Sequence, residues 1–250
     1  MILAFALLFG TSLIVHPSSL PGKPYPGDEE FTGIDYPAAL EKYDSLRARS
    51  SGDPDLLWRM ARLYVCMGDV AKRAERKELY RLAEGYAREC IRSDSQVAEG
   101  HTWLAASLGN IAMFEGSGKK VELSNEIQYE LDYALRLNPD DDVAYSIRGS
   151  FYRALGNVSW LERQLANLFL GGLPEGGYED SERALNRAIE LAPDNMRHHF
   201  ELGLLYINWD RPDDARRSFE RALTCPVLVA RDRSRQTRAK KWADSLAEEE

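Results

Sequence analysis

The chain has 250 residues, 44% of them hydrophobic and 29% charged, a composition that suits a globular protein with room for one large domain or two small ones. Its formal net charge of −8 argues against a general nucleic-acid binder, which needs a basic footprint to displace counterions. Cys66, Cys90 and Cys225 form no C-x-x-C pair and no metal spacing with histidine, so neither a disulfide framework nor a zinc site is indicated.

The run from Ile2 to Val15, ILAFALLFGTSLIV, is almost wholly apolar. It is shorter than the about twenty residues that span a bilayer and suits the core of a secretory signal. No Lys or Arg precedes it, no A-x-A-like site follows, and no cysteine follows that could carry a lipid. Residues 1–20 are read as a signal peptide or N-terminal membrane anchor. That makes the protein exported, either periplasmic or anchored and facing the envelope. Residues 21–35 are rich in Pro, Gly and charge and are read as a linker.

From Pro37 onward apolar residues recur at helical spacing, with no strand-like alternation. Self-comparison gives four units starting at Pro54, Ala98, Asp142 and Met196. Position 8 of each is small: Ala61, Ala105, Gly149 and Gly203. Position 11 is large: Tyr64, Leu108, Tyr152 and Tyr206. Ala83, Ile127, Ser181 and Ala215 share position 20, and Cys90, Ala134, Ala188 and Ala222 share position 27. Two antiparallel helices approach closely only where side chains are small, and larger residues fill the space around those contacts. The pattern resembles the tetratricopeptide repeat, a helix-turn-helix of about 34 residues. The expected fold is an all-α right-handed solenoid over residues 36–247. It has four repeats, an orphan second helix carrying Ala39, Tyr43 and Leu46 before them, and a capping helix at about 232–247.

The first three units are longer than a standard repeat, and the fourth has its usual length. "AKRAERKELY" in the first reads as added helix, and "EGSGKKVELS" in the second as a loop and a helix start. The third is split by residues 158–177. Within them Trp160, Leu161, Leu165, Leu168 and Phe169 fall on one face of a helix that "GGLPEGG" then ends. The expectation is that this face packs into the groove and completes an irregular core. A ligand- or membrane-facing role is the alternative.

The order "LLWRMARLYV", "GHTWLAASLGNIAMFEG", "ALRLNPDD" and "WLERQLANLFLGGLPEGGYEDSERAL" resembles the regulator of microtubule dynamics family over roughly residues 36 to 247. The residues that carry the likeness are His101, Trp103, Phe114, Glu115, Gly116, Trp160, Arg163, Ala166 and Pro174, while "GSGKKVELSN" matches only loosely. The resemblance implies a non-enzymatic tetratricopeptide protein. Animal members associate with microtubules or organelle membranes, and a lipid-binding role is described for some. Bacterial members often follow an export signal, which fits the N-terminus here.

"GSGKK" lacks the glycine and the Ser or Thr of a phosphate loop, and no strand precedes it. His198 and His199 point about 100° apart on a helix and do not chelate together. His101 and His199 both hold position 4, a packing position. No catalytic set, metal site or cofactor is nominated. The basic run Arg231–Lys241 reads as a solvated helix face. Arg148, at a position usually held by leucine, needs a carboxylate, an anionic ligand or a route to solvent.

The function that follows is a non-enzymatic protein-interaction scaffold of the envelope, binding an unidentified protein or peptide in the concave groove. The alternative is a lipid or apolar-ligand carrier with helix 160–169 as wall or lid. The expected contact residues are Arg62, Asn110, Arg148, Ser150, Arg153, Phe200 and Asn208 in the groove, with Trp160 and Arg163 from the insertion.

Overall fold

The computed structural model describes residues 25–248, so the segment read as a signal or anchor lies outside the described residues. Those residues form twelve α-helices and no strand. The four repeat units pair α3 (Pro54–Val70) with α4 (Arg73–Ser93), α5 (Ala98–Ala112) with α6 (Ser117–Leu137), α7 (Asp142–Gly156) with α9 (Tyr178–Leu191), and α10 (Met196–Asn208) with α11 (Pro212–Leu223). Before them come α1 (Asp28–Thr32) and the orphan α2 (Tyr36–Arg47); α8 (Trp160–Phe169) is the insertion and α12 (Ala230–Ala247) ends the array.

Each first helix begins at the residue the repeat register marks, and local chemistry shows why. The Asp53 side chain accepts the Asp55 N–H just before Pro54, whose fixed φ suits a first helical position. Asp141 accepts the Ala144 N–H at 2.9 Å, and Asn195 accepts that of Arg197 at 3.2 Å. The small positions are the points of closest packing. Ala61, Ala83, Ala105, Ala134, Ala188, Ala215 and Ala222 are fully buried. A Cβ on Gly149 would lie 2.4 Å from Leu185, so no side chain fits where α7 crosses α9.

The extra residues of the first two units lengthen their second helices, since α4 and α6 each run 21 residues. Of "EGSGKKVELS", only Glu115 and Gly116 lie outside α6, so the expected loop is mostly helix.

Two expectations need correction. Residues 28–32 of the expected linker are helical, and Asp28 and Phe31 are buried. Asp28 belongs to the folded domain because it meets two arginines of α3. Arg59 Nε donates to both its carboxylate oxygens (3.0 and 3.2 Å), Arg62 Nη2 donates at 3.0 Å, and Tyr43 Oη donates at 2.7 Å. The second correction concerns α12, which does more than cap α11. The Ala230 N–H donates to Tyr36 Oη at 3.0 Å, and Arg231 Nη1 donates to the Asp69 carbonyl at 2.7 Å. Val229 and Ala230 pack on the cluster of Phe31, Tyr36, Tyr43 and Met60. The array therefore turns far enough for its last helix to meet its first unit.

The cap at Asp141 gives a pH prediction. Burial is the main cause that raises its pKa to about 6, against the lowering effect of the Ala144 N–H and the Thr102 hydroxyl. A carboxyl whose folded pKa lies above its unfolded value favours the fold when protonated and loses that contribution as pH rises through the folded value. Asp141→Asn keeps an oxygen for the cap. It is expected to raise Tm at pH 7.5, with a gain that shrinks as pH falls through 6 toward 4 in a thermal-melt series.

Candidate interaction surfaces

The first surface is α8. A capping box starts it: Ser159 Oγ accepts the Glu162 N–H, and the Glu162 carboxylate accepts the Ser159 N–H at 2.9 Å. Arg163 fixes both ends of the insertion, donating to the carbonyls of Leu155 (3.1 Å) and Pro174 (3.0 Å). Gly171 and Gly172, with φ of +86° and +88°, turn the chain after the helix. Asn125 of α6 then donates to the Gly172 carbonyl at 3.1 Å. The insertion is thus held by polar bonds at its base. Its apolar face stays in solvent: Trp160 is 74% exposed, Leu161 60%, Leu165 46%, Leu168 73% and Phe169 75%, and only Ala166 of the helix is buried. The expectation that this face packs into the groove is overturned. With its apolar residues in solvent, α8 does not line an enclosed pocket with that face, which the carrier reading required. An open apolar recess of about 680 Å³ lies elsewhere, between α2 and the α3–α4 turn, lined by Tyr36, Pro37, Met67 and Val70 among others.

The second surface is the concave interior. Arg197, Glu201 and Asn208 stand on one face of α10, at i, i+4 and i+11. From α7, Arg153 reaches across to Glu201 (3.0 Å) and to the Asn208 side-chain oxygen (3.2 Å). From α12, Arg231, Arg235 and Arg238 recur at i, i+4 and i+7. Arg235 is buried and pairs with Asp232 at 2.7 Å, and the Arg238 guanidinium lies 4.9 Å over the Phe200 ring. The basic run read as a solvated face therefore has an inward row. Burial, and then the Arg235 guanidinium nearby, hold the Arg197 pKa below its ordinary value. Partial desolvation, and then Arg231, do the same to the exposed Arg238. Burial opposes ionisation of Glu201, but Arg153, Arg197 and Arg235 outweigh it and its pKa falls.

The expected contact residues separate in this frame. Arg153 and Asn208 meet in the interior. Arg62 is buried, held by Asp28 and stacked 3.7 Å from the Phe31 ring, so its groove position is already filled by the chain itself. Phe200 is 1% exposed and packs on Phe219; it is core and not a contact residue. Arg148 has its carboxylate in Asp132 of α6. Ser150 bonds back to the Ser146 carbonyl of its own helix. Asn110 is half-buried in the last turn of α5. Trp160 is fully presented, and Arg163 is a structural tie of the insertion.

The residues sequence reasoning missed are Asp28, Arg59, Arg197, Glu201, Arg235 and Arg238. The i, i+4, i+7 arginines of α12 were a legible signal; the others depend on contacts between distant segments.

The buried histidines have local work. His101 Nδ1 faces Glu130 and its Nε2 faces the Ser95 carbonyl, while His198 Nε2 lies 2.8 Å from Asp142 and His199 Nε2 lies 2.7 Å from the Pro193 carbonyl. Among the described residues no group of three or more His, Cys, Asp and Glu could hold a metal, and no helix is long and apolar enough to cross a membrane.

Comparison with known proteins adds a family. The family model "Regulator of microtubule dynamics protein 1-3" matches residues 28–247. Regulator of microtubule dynamics protein 2 of Mus musculus is 24% identical over 212 residues, covering 83% of this chain and 52% of its own length. Regulator of microtubule dynamics protein 1 of the same organism is 24% identical over 197 residues, covering 78% of this chain and 65% of its own. The chain thus spans about half the length of the first of these. Among solved structures, a thermophilic TPR protein of Thermus thermophilus superposes with a TM-score of 0.64 at 19% identity, covering 86% of this chain and 94% of that one. Yeast Tom70 gives a TM-score of 0.54 at 14% identity, over 89% of this chain and 39% of its own.

Proposed function

Because the chain belongs to the regulator of microtubule dynamics family, we propose that it is a non-enzymatic interaction scaffold whose α8 docks an apolar segment of a partner protein. The observation that carries this is the apolar face of α8, held in water by polar bonds at its base. A face with five large apolar side chains at 46–75% exposure lowers solubility unless something covers it. Charge favours a protein over a bilayer. Helices that lie in a membrane surface are rich in Lys and Arg, whereas α8 carries only Glu162 and Arg163, and both are engaged in holding the insertion.

A specific interface buries about 800 Å² per partner, so α8 supplies its apolar centre and neighbouring surface the rim. Trp160 and Phe169 have the size and position of anchor residues. The apolar run Ile2–Val15 supports placing the scaffold in the cell envelope, exported and either released or left anchored.

Photo-crosslinking from position 168 in the source cell tests the reading. A discrete protein adduct is expected, absent when Trp160 and Phe169 are both replaced by Ser. A lipid adduct, or none above that from an exposed position on α11, overturns it. With the captured partner purified, Trp160→Ser is expected to weaken binding about 30-fold, the effect of losing one anchor, while Tm changes little because the residue is exposed.

A further inference from the structure

We propose that the concave interior holds a second site, formed by Arg197 and Arg238 beside Arg153, that takes an acidic segment of a partner polypeptide. This deepens the scaffold reading, but it uses a different face from α8.

The chain contains one occupied example of such a site. In the first unit, Arg59 and Arg62 are met by Asp28 from the segment Asp28-Glu29-Glu30-Phe31, and the Phe31 ring lies against the Arg62 guanidinium. These two arginines are thus satisfied by an acidic-aromatic stretch of chain that is not part of the repeats. Arg197 and Arg238 have no such partner. Arg197 Nε is buried with no hydrogen bond, and neither guanidinium has an ion pair within 4 Å among the described residues.

The local carboxylates are already engaged. Glu201 holds Arg153. Asp232 holds Arg235 and also accepts the N–H groups of Leu228 and Val229. Asp69 accepts the Tyr80 hydroxyl at 3.0 Å. Five guanidiniums, of Arg153, Arg197, Arg231, Arg235 and Arg238, therefore face three carboxylates; Arg231 has the Asp69 backbone carbonyl instead, and the Arg197 and Arg238 side chains are left with neither a hydrogen bond nor an ion pair among the described residues. Arg238 rests on Phe200, and Phe200 rests on Phe219 at 5.7 Å. Arg238 is exposed and Arg197 half-buried, so a ligand can reach both.

An unpaired guanidinium in a half-buried, like-charged setting destabilises a fold. Arg197 is in that setting, with Glu201 and Asp69 near but not ion-paired to it, and this points to a ligand. A guanidinium presents a planar fork that matches a carboxylate, and two forks suit two acidic side chains of one peptide.

The test is fluorescence anisotropy of fluorescein-labelled hexaglutamate with the full chain, using hexaglutamine as control. Saturable binding is expected to hexaglutamate alone, weakening as salt rises. R197Q with R238Q should weaken it at least tenfold, whereas R183Q at an exposed position of α9 and W160S on α8 should leave it unchanged. R197Q alone should leave Tm unchanged or raise it by a few degrees. Absence of saturable binding, or binding unaffected by R197Q with R238Q, overturns the proposal. So does displacement by inorganic phosphate at concentrations near that of the peptide, which would make the site one for phosphate. A drop of several degrees in Tm for R197Q would assign Arg197 a structural role and also overturn it. Because W160S leaves the arginines intact, failure at α8 and failure here are read separately.

Discussion

Asp28→Ala is expected to lower the free energy of unfolding by about 3–5 kcal/mol, the range found when one partner of a buried ion pair is removed. The carboxylate accepts four hydrogen bonds, from Arg59 to both oxygens, from Arg62 and from Tyr43. Its loss falls unevenly on the two arginines. Arg59 keeps the Asp55 carbonyl at 2.7 Å and the Asp55 carboxylate at 3.3 Å. Arg62 keeps one long hydrogen bond, to the Tyr43 hydroxyl at 3.4 Å, and its stacking on the Phe31 and Trp58 rings, but no carboxylate, and its Nε has no partner even in the intact protein. Most of the cost is therefore that of a buried, uncompensated Arg62 charge. A second substitution, Arg62→Met, should recover part of the stability in the Asp28→Ala background. Urea titrations of the four proteins of this double-mutant cycle measure the coupling directly. A change below about 1 kcal/mol, the size of an ordinary surface effect, would mean that α1 is detachable and that the domain begins at α2.

The same residues show where sequence reading succeeds and where it stops. Repeat starts at Pro54, Ala98, Asp142 and Met196 were legible because helix crossing needs small residues at fixed intervals, and that requirement repeats along the chain. The role of Asp28 was not legible. "PGDEEF" has the composition of a linker, and only the fold shows two arginines of α3 facing it. Contact between α12 and α2 joins residues 194 apart in sequence, and it follows from the accumulated turn of the superhelix, which no local pattern encodes. In α8 the amphipathic face was legible but its direction was not. A moment says that one side of a helix is apolar; it does not say whether that side meets protein. Here the bonds of Arg163 to Leu155 and Pro174 fix the helix by its base and leave the apolar side outward. The arginines of the interior were missed for a related reason. A basic run on a terminal helix is usually solvated, and Arg235 becomes buried only because α12 folds back across α10 and toward α3.

Gly203→Val should destabilise the C-terminal half as severely as any single substitution outside the Asp28 network. Gly203 holds position 8 of the fourth unit, where α10 crosses α11, and a Cβ there would sit 2.6 Å from the Phe219 ring. That ring cannot yield. It is fully buried, with Phe200 at 5.7 Å on one side and Trp242 of α12 stacked at 6.2 Å on another. Overpacking a site of this kind costs about 1–3 kcal/mol or more, so Gly203→Ala is expected within that range and Gly203→Val at or beyond its upper end. Near-UV circular dichroism should report the displaced Trp242 before the helices are lost. Gly109 of α5 supplies the opposite sign. Nothing lies within 4 Å of where its Cβ would go, and it sits inside a helix. Gly109→Ala should therefore stabilise by about 0.4–1 kcal/mol through the unfolded chain. The register predicts both signs, because position 8 faces the partner helix and position 12 does not. If Gly203→Ala and Gly109→Ala shifted the urea midpoint in the same direction, close helix crossing at position 8 would not be what holds these units together.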